Sequence, residues 1–368
     1  MKKKILFIII CLLVANKSFS QETTFTIIND GPYISPINDT TITIQYVSQD
    51  TLIQFQATGT NDISFQGKGF DSSNWYTINK AYVIPNAITD SASKMFVFSD
   101  IHGEYEFLTE LLLNNHVIDS NLNWAFGDGH LVIDGDIPDR GDKVTEILWL
   151  MYKLEQQAEQ VGGGVHYILG NHEIMVMQSD LRYINEKYKR VAEQLAPDSL
   201  LSTLYAENAV LGRWLRTKNI CEIINGILFV HGGLNPKMMH NNYSLNFINQ
   251  TMRANIDTPR DSIKADTLLT DLFGSFGPVW YRGYHYDMEK YKQATVEQID
   301  SLLAFYNVSN IVVGHTTMDS TAVLYDGKIF GVNQDYELHD EIEGLYIENS
   351  VFYACDIYGK RRQVHVNK

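Results

Sequence analysis

Five times between Lys94 and Thr317, a short apolar run with strand-like composition stops abruptly in polar, potentially ligating residues. The run "MFVF" ends in "SDIHG", "HLVI" in "DGDIPDRGD", and "VHYIL" in "GNHE". "ILFV" ends in "HGG", and "NIVV" in "GHT". Such runs read as buried strands, so each polar end sits at the edge of a packed sheet. Carboxylates there lose solvation and need partners, either cations or metal ions. Helical spacing lies between the first strands. "EYEFLTELLLNN" is one case. "DKVTEILWLMYKLEQQAEQ" is the other, with Val144, Ile147, Leu148, Met151 and Leu154 on one face and Asp142 as the expected N-cap. Strand, charged turn, helix, strand is the α/β rhythm, and it collects the turns along one sheet edge.

The rest of the chain frames this segment. Residues 21–93 read as a small β-rich module, with clean alternation in "TTITIQYV" and no catalytic signature. The stretch of about 178–219 reads as a helical insert. "WAFGDGHLVIDGD" is expected to turn at Gly-Asp-Gly as a hairpin, "ICEIINGILFVHGG" at Asn-Gly, and "TAVLYDGKIFGV" at Asp-Gly. Residues 94–368 would then form the main domain. Residues 1–20 carry a basic start ("MKKK"), an apolar run and small residues before Gln21, the pattern of an export signal cleaved after Ser20. The expectation is therefore a periplasmic or secreted protein with no stable membrane anchor. Beyond the leader there are two cysteines, Cys221 and Cys355, both in strand-like runs and read as buried free thiols. A formal net charge of −15 disfavours general affinity for nucleic-acid backbones or anionic membranes, so no nucleic-acid partner is expected.

The ends themselves hold Asp100, His102, Asp136, Asp139, Arg140, Asn171, His172, His231 and His315. Imidazole and carboxylate together suit zinc, iron or manganese, whereas calcium wants more oxygens. Any one of these residues alone is ordinary: a histidine at a strand end, a turn with an ion pair, a helix cap. Five such ends in this order resemble the calcineurin-like metallophosphoesterases. The similarity is to the phosphoprotein phosphatase group within them, and to its bacterial Shewanella-like branch, in which "GPVWYRG" (Gly277 to Gly283) also has a counterpart. Two departures stand out. Ser99 replaces the glycine before Asp100, and Leu169 stands where eukaryotic members have arginine. The 21–93 module lies outside the signature.

The resemblance implies a two-sheet β-sandwich flanked by helices, the four-layer metallophosphoesterase fold. It implies two divalent transition-metal ions (Mn, Fe or Zn). Asp100, His102 and Asp136 would hold one ion, and Asp136, Asn171, His231 and His315 the other. Asp136 would bridge, since one carboxylate can serve two cations about 3.5–4 Å apart. The implied activity is hydrolysis of phosphomonoesters, including phosphoproteins on Tyr or Ser/Thr, by direct attack of a dimetal-bound hydroxide. His172 would be the general acid, Asp139 its orienting partner, and Arg140 and Arg282 the phosphate-binding arginines. Two alternatives stay open: hydrolysis of nucleotides or dinucleoside polyphosphates, and a catalytically dead binding module.

Overall fold

A computed structural model of the protein describes residues 27–59, 63–67, 71–78, 82–196, 204–334 and 342–367. The leader expected over 1–20 and residues 197–203 of the expected insert lie outside them. Near the N-terminus, β1 (Asn29–Pro36), β2 (Thr41–Ser48) and β3 (Thr51–Thr58) form an antiparallel sheet. The strands β4 (Ile63–Gly67) and β5 (Asp71–Ile78) form a two-stranded ribbon.

Two six-stranded sheets make the body. The second sheet begins with β6 (Ile88–Thr89) at one edge. The first contains β7 (Lys94–Phe98), β8 (His130–Asp134) and β9 (Gly164–Ile168), parallel to one another. Next to β6 in the second sheet come β10 (Cys221–Ile224), β11 (Ile227–Val230) and β12 (Asn310–Val313). The hairpin β13 (Ala322–Leu324) and β14 (Ile329–Gly331) completes it. The first sheet is extended by β15 (Glu343–Glu348), β16 (Val351–Asp356) and β17 (Arg361–Val366).

Alternation along each strand explains why two cores form. Met95 and Val97 face Val132, Phe229 and Val312 between the sheets, while Phe96 and Phe98 join Leu131, Ile133 and Leu148 on the helical side. With both faces covered, these strands have no polar side, which is why they read as unbroken apolar runs. Phe330 of β14 and Phe352 of β16 stack across the sandwich with centroids 4.4 Å apart. Each such side chain contributes roughly 1.5–3 kcal/mol through burial. The expected sandwich flanked by helices is the one that forms.

Ten α-helices are described. Those crossing over in the first sheet are α1 (Tyr105–Asn114) and α2 (Val144–Glu159), and α3 (Asn171–Met177) follows β9. In the 178–219 stretch lie α4 (Glu186–Leu195) and α5 (Val210–Thr217). After β11 come α6 (Pro236–His240), α7 (Leu245–Ala254), α8 (Arg260–Ala265) and α9 (Thr267–Phe273), and α10 (Val296–Tyr306) leads into β12. Among the described residues, no helix is long and apolar enough to cross a membrane. Cys221 and Cys355 are both buried free thiols.

Three local expectations need correction. Asp142 does not cap α2. Lys143 occupies the N-cap without a side-chain bond, and the Asp142 carbonyl instead accepts from Lys187 Nζ and Tyr188 Oη. "WAFGDGHLVIDGD" is not a hairpin, because only His130–Asp134 is a strand and Trp124 makes an isolated bridge to Ile118. Finally, α2 is buried nearly all round, including the polar Thr145, Glu146 and Lys153. The N-terminal strands explain this. Trp149 Nε1 donates to Pro32 O at 3.0 Å, and the Phe65 ring meets Trp149 edge-on at 4.9 Å. By contrast, Asn225 (φ 50°) and Gly226 (φ 73°) make the expected turn between β10 and β11.

Candidate active site

The loops after β7, β8, β9, β11 and β12 converge at one edge of the sandwich. Asp100, His102, Asp136, Asp139, Arg140 and His315 all have left-handed backbones, with φ of 53°, 43°, 60°, 73°, 63° and 60°. For non-glycine residues this conformation costs on the order of 1–3 kcal/mol each, and it persists only where the surroundings impose it. The glycines of the motifs allow the loops to close on each other. A Cβ on Gly170 would lie 2.2 Å from Asp136 Oδ1, and one on Gly135 (φ 86°) would lie 2.6 Å from His231 Nδ1.

Asp136 is the centre of the cluster. Two buried donor groups, each with its ligand atoms within 4.8 Å of one another, share it: His102, Asp136 and His172, and Asp136, His231 and His315. Asp136 Oδ2 lies 3.1 Å from His231 Nε2, 3.8 Å from His172 Nε2 and 3.9 Å from His102 Nε2. Asn171 Oδ1 is 3.1 Å from His231 Nε2. Backbone carbonyls take the other ring nitrogens, with His102 Nδ1 2.8 Å from Pro138 O and His231 Nδ1 2.6 Å from Asp134 O. A proton held on Nδ1 leaves the Nε2 lone pair free for a metal ion. His315 Nε2 is buried without a hydrogen-bond partner. These donors fit divalent metal ions.

Asp100 is placed differently. It belongs to neither group: Oδ2 accepts from His315 N at 2.9 Å and from Ser99 Oγ, and Oδ1 accepts from Asn333 Nδ2 at 2.9 Å. It lies at the cluster's edge, close enough for its charge to act on His231.

The electrostatics describe a pocket short of positive charge. Burial alone would raise the Asp136 carboxyl, but His231, His172 and His102 outweigh it and hold it well below the usual range. Burial would lower His231, yet Asp136, Asp100 and Asp134 push it up to about 10. Burial takes His102 down to about 3, despite the nearby Asp136. Burial and the Arg282 charge hold His315 well below its usual value. His102 and His315 are thereby held neutral, the state that ligates a metal, whereas the carboxylates around His231 favour its protonated form, so a cation binding there would displace a proton.

His172 Nδ1 is 2.6 Å from Asp139 Oδ2, at the side of the cluster. Arg140 is exposed beside them, and its charge acts on both. Its backbone is fastened to the loop before α4, with Arg140 N donating to Tyr183 O at 2.9 Å and Asn185 Nδ2 to Arg140 O at 2.7 Å. Among the described residues, Arg282 meets no carboxylate of the insert. Its Nη1 donates to His315 O at 2.5 Å and Thr316 Oγ1 at 3.3 Å.

Two supporting residues carried no role in the sequence reading. Glu173, fully buried, accepts from Asp136 N at 3.0 Å, Ile137 N at 2.9 Å, Gly170 N at 2.7 Å and Tyr167 Oη at 2.8 Å. It therefore ties the second and third loops together. A glutamate three residues after the Gly170 N-cap was the available signal. Asn333, on Asp100, had none.

Comparison with known proteins gives a consistent answer. A family model described as calcineurin-like phosphoesterase matches residues 93–318. Shewanella-like protein phosphatase 1 of Plasmodium berghei is 28% identical over 228 residues, 62% of this chain and 62% of that protein. The match thus spans less than two thirds of that relative. Shewanella-like protein phosphatase 2 of Arabidopsis thaliana is 25% identical over 272 residues, 63% of this chain and 68% of that protein. Among solved structures, a cold-active protein-tyrosine phosphatase of a psychrophilic Shewanella species superposes with a TM-score of 0.84 at 34% identity. It covers 92% of this chain and 100% of that one. That share is larger than residues 94–368 alone provide, so the likeness reaches into the N-terminal strands, which the motif signature had left out.

Proposed function

The chain belongs to the calcineurin-like phosphoesterase family, and we propose that it is a metal-dependent phosphatase acting on phosphomonoesters, with phosphotyrosyl proteins as the leading substrate class. The observation that carries this reading is Asp136, shared by two buried donor groups, with His172 of the first group also held through Nδ1 by Asp139. The tyrosine substrate is supported by the Shewanella structure, whose whole length this chain covers.

When bound, two divalent ions supply charge for the phosphoryl oxygens and a nucleophile from water at neutral pH. The chain's own residues do the rest. Asp136, His102, Asn171, His231 and His315 would hold the ions, with Asp100 joining them from the edge of the cluster. His172 hands a proton to the leaving oxygen, and Asp139 fixes its Nδ1 and supports the imidazolium. Arg140 and Arg282 offer forked donors to the remaining oxygens. The chain is exported, with the leader removed after Ser20. N-terminal sequencing of the protein from a secreting host checks this.

The deciding experiment is a substrate panel with and without added manganese. It comprises 4-nitrophenyl phosphate, bis(4-nitrophenyl) phosphate, phosphotyrosyl and phosphoseryl peptides, and a dinucleoside tetraphosphate. Metal-dependent turnover of the monoesters, with phosphotyrosine ahead of phosphoserine, is expected. Preference for the diester or the dinucleotide would replace this reading. Absence of turnover on the whole panel would leave a binding module.

A further inference from the structure

A cleft of about 460 Å³ opens beside the metal-donor groups. Two aromatic rings join it to the cluster. Tyr183 packs on His172 with ring centroids 5.3 Å apart, and Trp280 meets His315 edge-on at 5.6 Å. Both rings line the cleft, whose floor continues over Ile174 and Phe273.

The walls have the opposite charge from the protein. Arg182, Arg260, Lys264, Lys290 and Arg282 line the cleft against the single carboxylate of Asp180, on a chain with net charge −15. Arg182 and Arg260 both use Asp180, at 2.8 and 3.3 Å, so one carboxylate answers two guanidiniums. Lys264 pairs with Asp261 one turn away, but those side chains are 63% and 96% exposed, and such a surface pair is weak. Lys290 Nζ rests on Ser275 Oγ at 2.9 Å. Among the described residues, neither Lys290 nor Arg282 has a carboxylate within ion-pair distance. A cationic cleft on an acidic surface concentrates field lines at its mouth and repels anions elsewhere.

We propose that this cleft selects phosphotyrosyl segments flanked by acidic residues. The phenyl ring enters between Tyr183 and Trp280, and carboxylates beside the phosphotyrosine meet Arg260, Lys264 and Lys290. The inference rests on the phosphomonoesterase reading above and names the substrate that reading leaves general. Apolar floor and cationic rim together fit an acidic peptide. A bare phosphate ester would use only the inner end.

The test uses three phosphotyrosyl peptides that differ only in flanking Glu, Ala or Lys, with 4-nitrophenyl phosphate as a substrate without flanks. For the parent, kcat/KM for the Glu peptide should exceed that for the Lys peptide by about tenfold or more at low salt, chiefly through KM. The ratio should shrink as ionic strength rises from about 0.02 M to about 0.2 M. Combining Arg260→Ala, Lys264→Ala and Lys290→Ala should bring the Glu/Lys ratio to within about twofold, and replacing all three by Glu should invert it. Equal rates on the three peptides, with 4-nitrophenyl phosphate still hydrolysed, would overturn the acidic preference and leave the phosphatase reading standing. A dinucleoside tetraphosphate outrunning the Glu peptide would assign the cleft to polyphosphates instead. If no monoester is hydrolysed at all, both readings fall.

Discussion

His172 Nδ1 and Asp139 Oδ2 stand 2.6 Å apart with both side chains buried, and the other ring nitrogen of His172 faces Asp136. A carboxylate on one side of the ring leaves the opposite nitrogen to deliver a proton. His172→Ala should therefore keep its metal yet lose roughly two to four powers of ten in rate. An alkyl phosphate should suffer more than 4-nitrophenyl phosphate, whose leaving group needs little protonation. Asp139→Asn should show the same ordering with a smaller loss. Parallel kinetics on the two esters decide the matter, and equal losses would mean structural damage.

Asp136 is the common member of both donor groups. Asp136→Asn replaces the bridging carboxylate with a neutral amide, which balances two cations poorly. Metal content by elemental analysis should drop at one or both positions, and turnover should vanish. Two full equivalents of tightly bound metal in the variant would contradict the bridge.

How these residues could be read from sequence follows from where they sit. Each ends an apolar run, and strands buried on both faces leave no doubt where the run stops. Glu173 and Asn333 escaped for opposite reasons. Glu173 lies inside a motif but acts on backbone N–H groups of another loop, which only the fold brings close. Asn333 lies in the segment after β14, far from Asp100 in the chain, with no ligating pattern around it. Periodicity in α2 showed one apolar face. The second buried face is partly polar, with Thr145, Glu146 and Lys153, and is covered by strands too distant in sequence to suggest it.

Gly170 tests how tightly the third loop packs against the central ligand, Asp136. A Cβ there meets Asp136 Oδ1 at 2.2 Å and Asp136 N at 2.8 Å, so Gly170→Ala must displace the Asp136 loop. Overpacking of this kind costs about 1–3 kcal/mol. The expected result is a folded protein with a lowered denaturation midpoint and weakened metal binding, read by titrating metal into the stripped variant. Parent-like metal affinity would show that the loop gives way at no cost to the site.

Arg282 bonds to the His315 loop and, among the described residues, to no acid of the insert. Its fork is directed by the His315 carbonyl and the Thr316 hydroxyl. Arg282→Ala should weaken inhibition by inorganic phosphate, and Arg282→Lys should restore it only in part, because bidentate geometry is lost with the guanidinium. Metal content should stay at the parent level in both. An unchanged phosphate inhibition constant in Arg282→Ala would remove the residue from substrate binding and leave it as a brace for His315.

The junction between the N-terminal strands and the insert should be sensitive to alkaline pH. Lys187 of α4 reaches Asp30 of β1 at 2.8 Å and Glu146 of α2 at 3.5 Å, with Asp30 and Glu146 both buried. Two carboxyls thus share one ammonium. Burial first, and then the Asp30 charge, push Glu146 up to about 8, against the pull of Lys187. The sign follows from proton counting. Between about pH 4.5 and 8 the folded protein keeps a proton on Glu146 that the unfolded chain has released, so stability falls as pH rises through this window. The urea midpoint of the parent should be lower at about pH 8.5 than at about pH 6, by an amount corresponding to on the order of 1–3 kcal/mol. Glu146→Gln holds the neutral form at every pH, so it should remove most of this slope and raise the midpoint at the alkaline end. Lys187→Met leaves the two carboxyls without their cation and should lower the midpoint at both pH values. Denaturation of the three proteins at the two pH values is the measurement. A slope in Glu146→Gln as steep as in the parent would show that the alkaline loss arises elsewhere in the molecule.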